Sequence, residues 1–156
     1  MAISSAFERE GLDRARSVAE DLLDSTYAYG LAPVLFKPTM ASGAHTFRPS
    51  RRGALSYFVG HDPDFPLDRG FGLMGWRHVA SESSHHLIEG KLALWMGWMI
   101  LTNKAVETTK VDKTFGYMRD AAGNLRIVLH HSSLPYQPEG SGPDPAATLA
   151  PIGATR

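Results

Sequence analysis

Apolar positions near the start of the chain recur at steps of three and four. Leu12, Ala15, Val18, Ala19, Leu22, Leu23 and Thr26 form one stripe, while Arg14, Arg16, Glu20, Asp21 and Asp24 fill the other face. This spacing predicts an amphipathic helix that packs one side against the rest of the fold. Ser5-Ala6-Phe7-Glu8 has the spacing of a capping box and marks the expected helix start. Gly30, shortly before Pro33, is the expected left-handed stop. Beyond it, Val34-Leu35-Phe36 is a short apolar run, and the Gly-, Pro- and Ser-punctuated stretch to Gly53 reads as loop. Ala54 to Val59 suits a short helix or a strand, because the segment is too short for periodicity to decide. Asp62-Pro63 to Pro66 reads as a turn.

From Gly72 the pattern changes to long strand-like segments separated by turn residues, expected near 73–88, 91–102, 107–119 and 125–134. Gly90, Asn103-Lys104 and Gly123-Asn124 are the reversals, which predicts an antiparallel meander. Strands of this length require a strongly curved sheet, and Gly97, inside the most apolar strand, is the natural bend or bulge. In that strand Leu92, Leu94, Met96, Trp98 and Ile100 share one face and Ala93, Trp95, Gly97, Met99 and Leu101 the other. Both faces are apolar and both need cover, one from the N-terminal helix and one from a cavity or a second subunit. The fold class expected is α+β, a half-cone of helix packed on a curved antiparallel sheet.

Composition narrows the function classes. Sixteen basic residues balance 16 acidic ones, so no positive field exists to hold nucleic acid or an anionic membrane surface. The absence of cysteine removes thiolate nucleophiles, iron–sulfur clusters and cysteine-type zinc sites. The most apolar stretch, Leu92 to Leu101, is far shorter than the about 20 residues of a membrane helix. The N-terminus lacks the apolar segment of a signal peptide, which leads to the expectation of a cytoplasmic protein. Pro135, Pro138, Pro143, Pro145 and Pro151 lie past the last strand among Gly, Ser and Ala. Residues 1–136 are therefore expected to form the domain and 137–156 a flexible tail.

The densest polar cluster is His130-His131-Ser132-Ser133, directly after the apolar run Leu125 to Leu129. Strict alternation sends Ile127, Leu129, His131 and Ser133 to one face and Arg126, Val128, His130 and Ser132 to the other. The more apolar face carries His131 and Ser133, so this pair is expected to point into the cavity, with about 7 Å between the two residues. The same residues also fit a wet sheet edge or core hydrogen bonds. His85-His86, beside Ser83, Ser84 and the Gly90 turn, reads as a solvated hairpin end. No one-face pair of histidines has metal-ligand spacing, so neither a metal nor a cofactor is expected. The Lys110, Asp112 and Thr114 row reads as an exposed face, and the phosphate-loop, dinucleotide and nucleophile-elbow motifs are missing.

Four blocks together resemble the iota-class carbonic anhydrases: Val34-Leu35-Phe36-Lys37-Pro38-Thr39, Gly53-Ala54-Leu55-Ser56-Tyr57-Phe58, Thr114-Phe115-Gly116-Tyr117, and Leu125 through His130-His131-Ser132-Ser133-Leu134-Pro135. The closing His-His-Ser-Ser-x-Pro block is the specific part, and the resemblance spans about residues 12–136. It implies a nuclear transport factor 2-like cone, an N-terminal helix packed on a strongly curved antiparallel sheet, in a fold shared with kinase association domains and steroid isomerases. It implies reversible hydration of carbon dioxide to bicarbonate and a proton, here without metal, with carbon dioxide or bicarbonate as the small-molecule partner and a homodimer as the assembly. It also implies the site: the family's pocket Thr resembles Thr39 and its Tyr resembles Tyr57. Its His-x-Ser pair resembles His131 with Ser133, or His130 with Ser132 on the alternative face. The catalytic set expected is thus His131, Ser133, Thr39 and Tyr57, with a His as base and hydroxyls holding bicarbonate. Two other readings stay open. One is an isomerase or dehydratase of the same fold with Asp112 as its carboxylate base. The other is a non-catalytic dimeric binding or association module whose cavity is plugged by Trp95, Trp98 and Met side chains.

Overall fold

The structure is a computed structural model and describes residues 1–139. The tail expected over 137–156 lies almost entirely outside the described residues. Two helices open the chain, α1 (Ala2–Glu10) and α2 (Leu12–Thr26), where the periodicity predicted one. They part at Gly11, whose φ of 84° is a left-handed conformation that favours glycine over any residue with a Cβ. Ser5 lies within α1 and is no cap. Its neighbour Ser4 is buried, donates to the Gly72 carbonyl at 2.6 Å and accepts from the Trp76 amide at 3.0 Å, tying α1 to the sheet. Glu8 reaches out to Arg77 and Lys104 instead of back to the helix start.

The buried stripe of α2, Ala15, Ala19 and Leu23, packs on α3 (Arg51–Val59). The ambiguous 54–59 segment is therefore helical. Its signal lay just upstream, in Ser50, whose hydroxyl caps the helix by accepting from the Gly53 amide. Helix α2 stops at Thr26 rather than at Gly30, which does not adopt positive φ. Tyr27 is extended there because the chain joins the sheet: Tyr27 bridges Ile127 and the Ala28 amide donates to the Ile127 carbonyl.

The sheet runs β1 (Leu35–Lys37), β2 (Trp76–Glu89), β3 (Leu92–Asn103), β4 (Thr108–Arg119) and β5 (Leu125–Ser133), in the spatial order β1-β5-β4-β3-β2. Strands β2 to β5 are the expected antiparallel meander, with ends within a few residues of those expected. The short apolar run at Val34 becomes β1, parallel to β5, with Phe36 opposite His130 and Lys37 opposite His131. The main core lies between the helices and the inner face of this curled sheet, and includes Leu23, Tyr27, Phe36, Ala54, Tyr57 and Val59. Among the described residues no helix is long and apolar enough to cross a membrane.

Gly97 sits across from a bulge at Ser84, where the β2–β3 register slips between Ser83 and His85. A second bulge reorganises the site. Gly116 pairs with Leu129 but Tyr117 pairs with Ile127, leaving Val128 as the extra residue of β5. Ile127 and His130 consequently share the inner face, and the alternation expected across 126–133 is inverted from Leu129 onward.

Candidate active site

The inversion at Val128 decides which imidazole faces the helices. His130 is 6% exposed and Ser132 fully buried, whereas His131 is exposed and Ser133 half-buried. The expectation that His131 and Ser133 point inward is corrected: they line an open cavity of about 280 Å³ on the outer face, with Asp112, Thr114, Met96 and Trp98. Thr39 and Tyr57 lie on the other side of the sheet. The alternative pair, His130 and Ser132, is the one that joins them. Asp112 pairs with Ser133 and Trp98, so the carboxylate expected of an isomerase is also on the outer face.

Each inner side chain is positioned by a different element. Thr39 follows β1 directly, and its Oγ1 makes a 2.5 Å hydrogen bond to Ser132 Oγ. Tyr57 comes from the middle of α3, and its hydroxyl oxygen lies by the Thr39 side chain and the backbone of Met40 and Thr39, which favour its ionised form. Three hydroxyls from a loop, a helix and a strand thus lie together, two of them bonded to each other. Burial outweighs the Thr39 and Met40 contacts and pushes the Tyr57 hydroxyl above the usual phenol range, so it stays protonated. Helix α3 is held at this angle by a buried ion pair: Arg48 chelates Asp68 with two 2.7 Å bonds and also donates to the Gly53 carbonyl, while Ser56 donates to Asp68. Losing either charge would strand the other in the interior.

His130 is enclosed by aromatic rings, stacked on Phe36 with centroids 4.6 Å apart and tilted against Phe115 at 4.5 Å. Both of its ring nitrogens are committed. Nδ1 is 2.7 Å from the Tyr27 hydroxyl and Nε2 is 2.6 Å from Lys113 Nζ. Burial, with the charge of Lys113 and then His131 adding to it, holds the imidazole well below its ordinary range, so it is neutral at physiological pH. Burial and the charge of Lys37 bring Lys113 down to about 7. Lys37 itself donates to the Ser132 carbonyl at 2.9 Å.

Of the expected residues, the structure therefore brings together Thr39, Tyr57, His130 and Ser132. It adds Tyr27, Lys37 and Lys113, which the sequence reading passed over. A signal for Lys113 was present: if Lys110, Asp112 and Thr114 form an outward row, the residue between the last two must point inward. Among the described residues no three His, Asp or Glu side chains converge as a metal site requires, and His85 and His86 are both exposed.

Comparison with known proteins places this geometry. The chain is 47% identical, over 137 residues, to a metal-independent carbonic anhydrase of Nostoc sp., a span of 88% of this chain and 67% of that relative. It superposes with a TM-score of 0.86 on the crystal structure of a cyanobacterial iota-carbonic anhydrase complexed with bicarbonate, at 47% identity over 88% of this chain and 84% of that one. A nuclear transport factor 2-like protein from Pseudomonas putida, 16% identical over 88% of this chain and 87% of its own, shares the fold with a TM-score of 0.52. The family model for metal-independent carbonic anhydrases matches residues 1–134, and the chain belongs to that family.

Proposed function

We propose that the protein interconverts carbon dioxide and water with bicarbonate and a proton, without a metal ion, at the hydroxyl cluster of Thr39, Tyr57 and Ser132 beside His130. The observation that carries this reading is the convergence of these hydroxyls on an otherwise aromatic inner surface, in a chain 47% identical to a protein whose crystal structure holds bicarbonate. Carbon dioxide is apolar and suits the rings of Phe36 and Phe115. As water adds to its carbon, negative charge grows on the oxygens, and preorganised hydroxyl donors stabilise that charge where bulk water is excluded. Water with a pKa of about 15.7 supplies almost no hydroxide at neutral pH, so a base must take its proton as the C–O bond forms. The basic groups on this face are His130 and Lys113, joined at 2.6 Å. We further propose that the protein acts as a homodimer through the outer face of the sheet.

Stopped-flow hydration of carbon dioxide on exhaustively chelated protein tests the reading. The parent should be active, and Ser132→Ala and Thr39→Val should each lose on the order of 10²–10³-fold in rate, as expected for one lost oxyanion-type donor. His131→Ala and Ser133→Ala, on the opposite face, should stay within a few-fold of the parent. An inactive parent, or full activity in both inner-face variants, would overturn the assignment.

A further inference from the structure

Lys113 stands out among the cations without a carboxylate partner because it lies on the inner face beside the hydroxyl cluster. Arg48, Arg51, Arg52, Arg77 and Arg126 each engage a carboxylate at 2.8 Å or less. Lys113 and Lys37 engage none among the described residues; Lys113 lies on the inner side, and Lys37, on the His131 side of β1, reaches across to the Ser132 backbone. Lys113 pairs with Ser132 in register, and Lys37 donates to its carbonyl. A lysine with no carboxylate partner on the face that carries the hydroxyls, with a second lysine at the Ser132 carbonyl, is matched to an anion once it is protonated, and bicarbonate is the anion that the reaction creates.

His130 is poorly placed to meet water, since Tyr27 holds one ring nitrogen and Lys113 the other. A lysine amine differs: in the His130 tautomer that donates from Nδ1–H to the Tyr27 hydroxyl, Lys113 gives one N–H to Nε2 and keeps its lone pair free. We propose, on the reading of the site as a carbonic anhydrase, that Lys113 is the proton acceptor of the hydration step and that His130 is a positioning residue that aims it. The neutral amine takes a proton from water as one O–H bond breaks. The oxygen's electron pair forms the C–O bond, a C=O π pair moves onto an oxygen of carbon dioxide, and bicarbonate forms beside the new ammonium. That ammonium then returns its proton to solvent buffer.

The groups that face Lys113 set its titration. They are His130 and Ser132 from β5, Lys37 from β1 and, through His130, Tyr27 from the end of α2; its register partner on β3, Gly97, presents no side chain. Burial and the Lys37 charge both favour the neutral amine, so the acceptor form is well populated at about pH 7.

The test is the pH profile of hydration for the parent, Lys113→Arg and Lys113→Met, with a ¹³C-bicarbonate titration followed by NMR. Arginine keeps the charge and a donor for His130 but cannot accept a proton near neutral pH. The parent rate should rise through an inflection near 7. Lys113→Arg should lose roughly 10²–10⁴-fold in kcat and lose the inflection, yet bind bicarbonate within a few-fold of the parent. A Lys113→Arg protein with parental rate and inflection overturns the proposal, as does one whose lost rate is matched by lost bicarbonate binding. Should both variants fail to fold, the parent labelled with ε-¹³C-lysine still decides: one lysine should titrate near 7, and the absence of any lysine titrating below about 9 overturns the proposal. An inactive parent would instead sink the carbonic anhydrase reading itself.

Discussion

The pairing of His130 with Lys113 imposes a direction on stability as well as on chemistry. A lysine whose native pKa lies near 7 holds fewer protons between that value and its ordinary 10.5 than it does in the unfolded chain. Stability must therefore rise with pH across this window and, from this group, level off below it. His130 acts in the same sense further down. The unfolded imidazole protonates near its ordinary 6.5 and the native one well below that, so stability falls as pH drops through this range. The melting temperature of the parent should increase from about pH 7 toward pH 9.5, and the increase should be smaller in Lys113→Met. A parent whose melting temperature falls over that interval while the variant's rises would contradict the direction given for Lys113. At this scale, Thr39 and Tyr57 were legible because each sits in a distinctive block, and both are in the cluster. Tyr27 was not, since a tyrosine at a helix end reads as packing, and the inward position of Lys113, implied by the row of Lys110, Asp112 and Thr114, was passed over because lysine reads by default as a solvated charge. Only their convergence on one imidazole gives them a role.

Between residues and fold, the strands show where pattern reading succeeds and where it fails. The order and reversals of β2 to β5 follow from Gly90, Asn103-Lys104 and Gly123-Asn124, which are local signals, whereas β1 was read only as a short apolar run. The inward face of β5 depends on Val128, a β-branched residue that suits a paired or a bulged position alike. Its bulge becomes visible only by matching β5 against β4 residue for residue. That single unpaired residue moves His130 and Ser132 inward and His131 and Ser133 outward. Gly97, expected as a bend or bulge, lies opposite the bulge at Ser84 instead, and what the glycine serves there is a close approach. A Cβ there would lie 2.2 Å from the Glu82 carbonyl oxygen and 2.8 Å from the Trp95 ring. Backbone cannot move aside in the middle of a paired ladder, so Gly97→Ala should cost about 2–3 kcal/mol of stability by overpacking, measured as a lower urea midpoint at unchanged slope. A variant within 0.5 kcal/mol of the parent, the usual range for a neutral surface change, would mean that the β2 bulge relaxes to accept the methyl group.

For the whole molecule, the two sides of the sheet carry different burdens. The inner face is complete within one chain, because Tyr27, Thr39, Tyr57, Lys113, His130 and Ser132 all belong to it. The parallel pairing of β1 with β5, which brings Thr39 to Ser132, joins distant parts of the sequence and was not foreseeable from local periodicity. The outer face was legible in outline, since a strand apolar on both sides needs two covers and the helices supply one. On that face Leu87, Leu92, Met96 and Trp98 are 40–56% exposed, and the β2–β3 pairing places them on adjacent strands. An apolar patch of this kind on a lone chain marks an association surface. It also holds both signs of charge, Glu82 and Lys110 paired at 3.8 Å with Lys110 4.3 Å above the Trp98 ring, as a self-complementary two-fold contact requires. The parent should sediment at twice the 17.0 kDa chain mass at micromolar concentration, and Met96→Lys with Trp98→Glu should shift it to the single-chain mass. Because Thr39, Tyr57, His130 and Ser132 lie on the other side of the sheet, the shifted variant should keep hydration activity per folded chain within a few-fold, while its melting temperature falls and becomes independent of concentration. A parent that sediments as one chain would end the dimer proposal. A monomeric variant that is fully folded yet inactive would show that association supports the inner face through the curvature of the shared sheet.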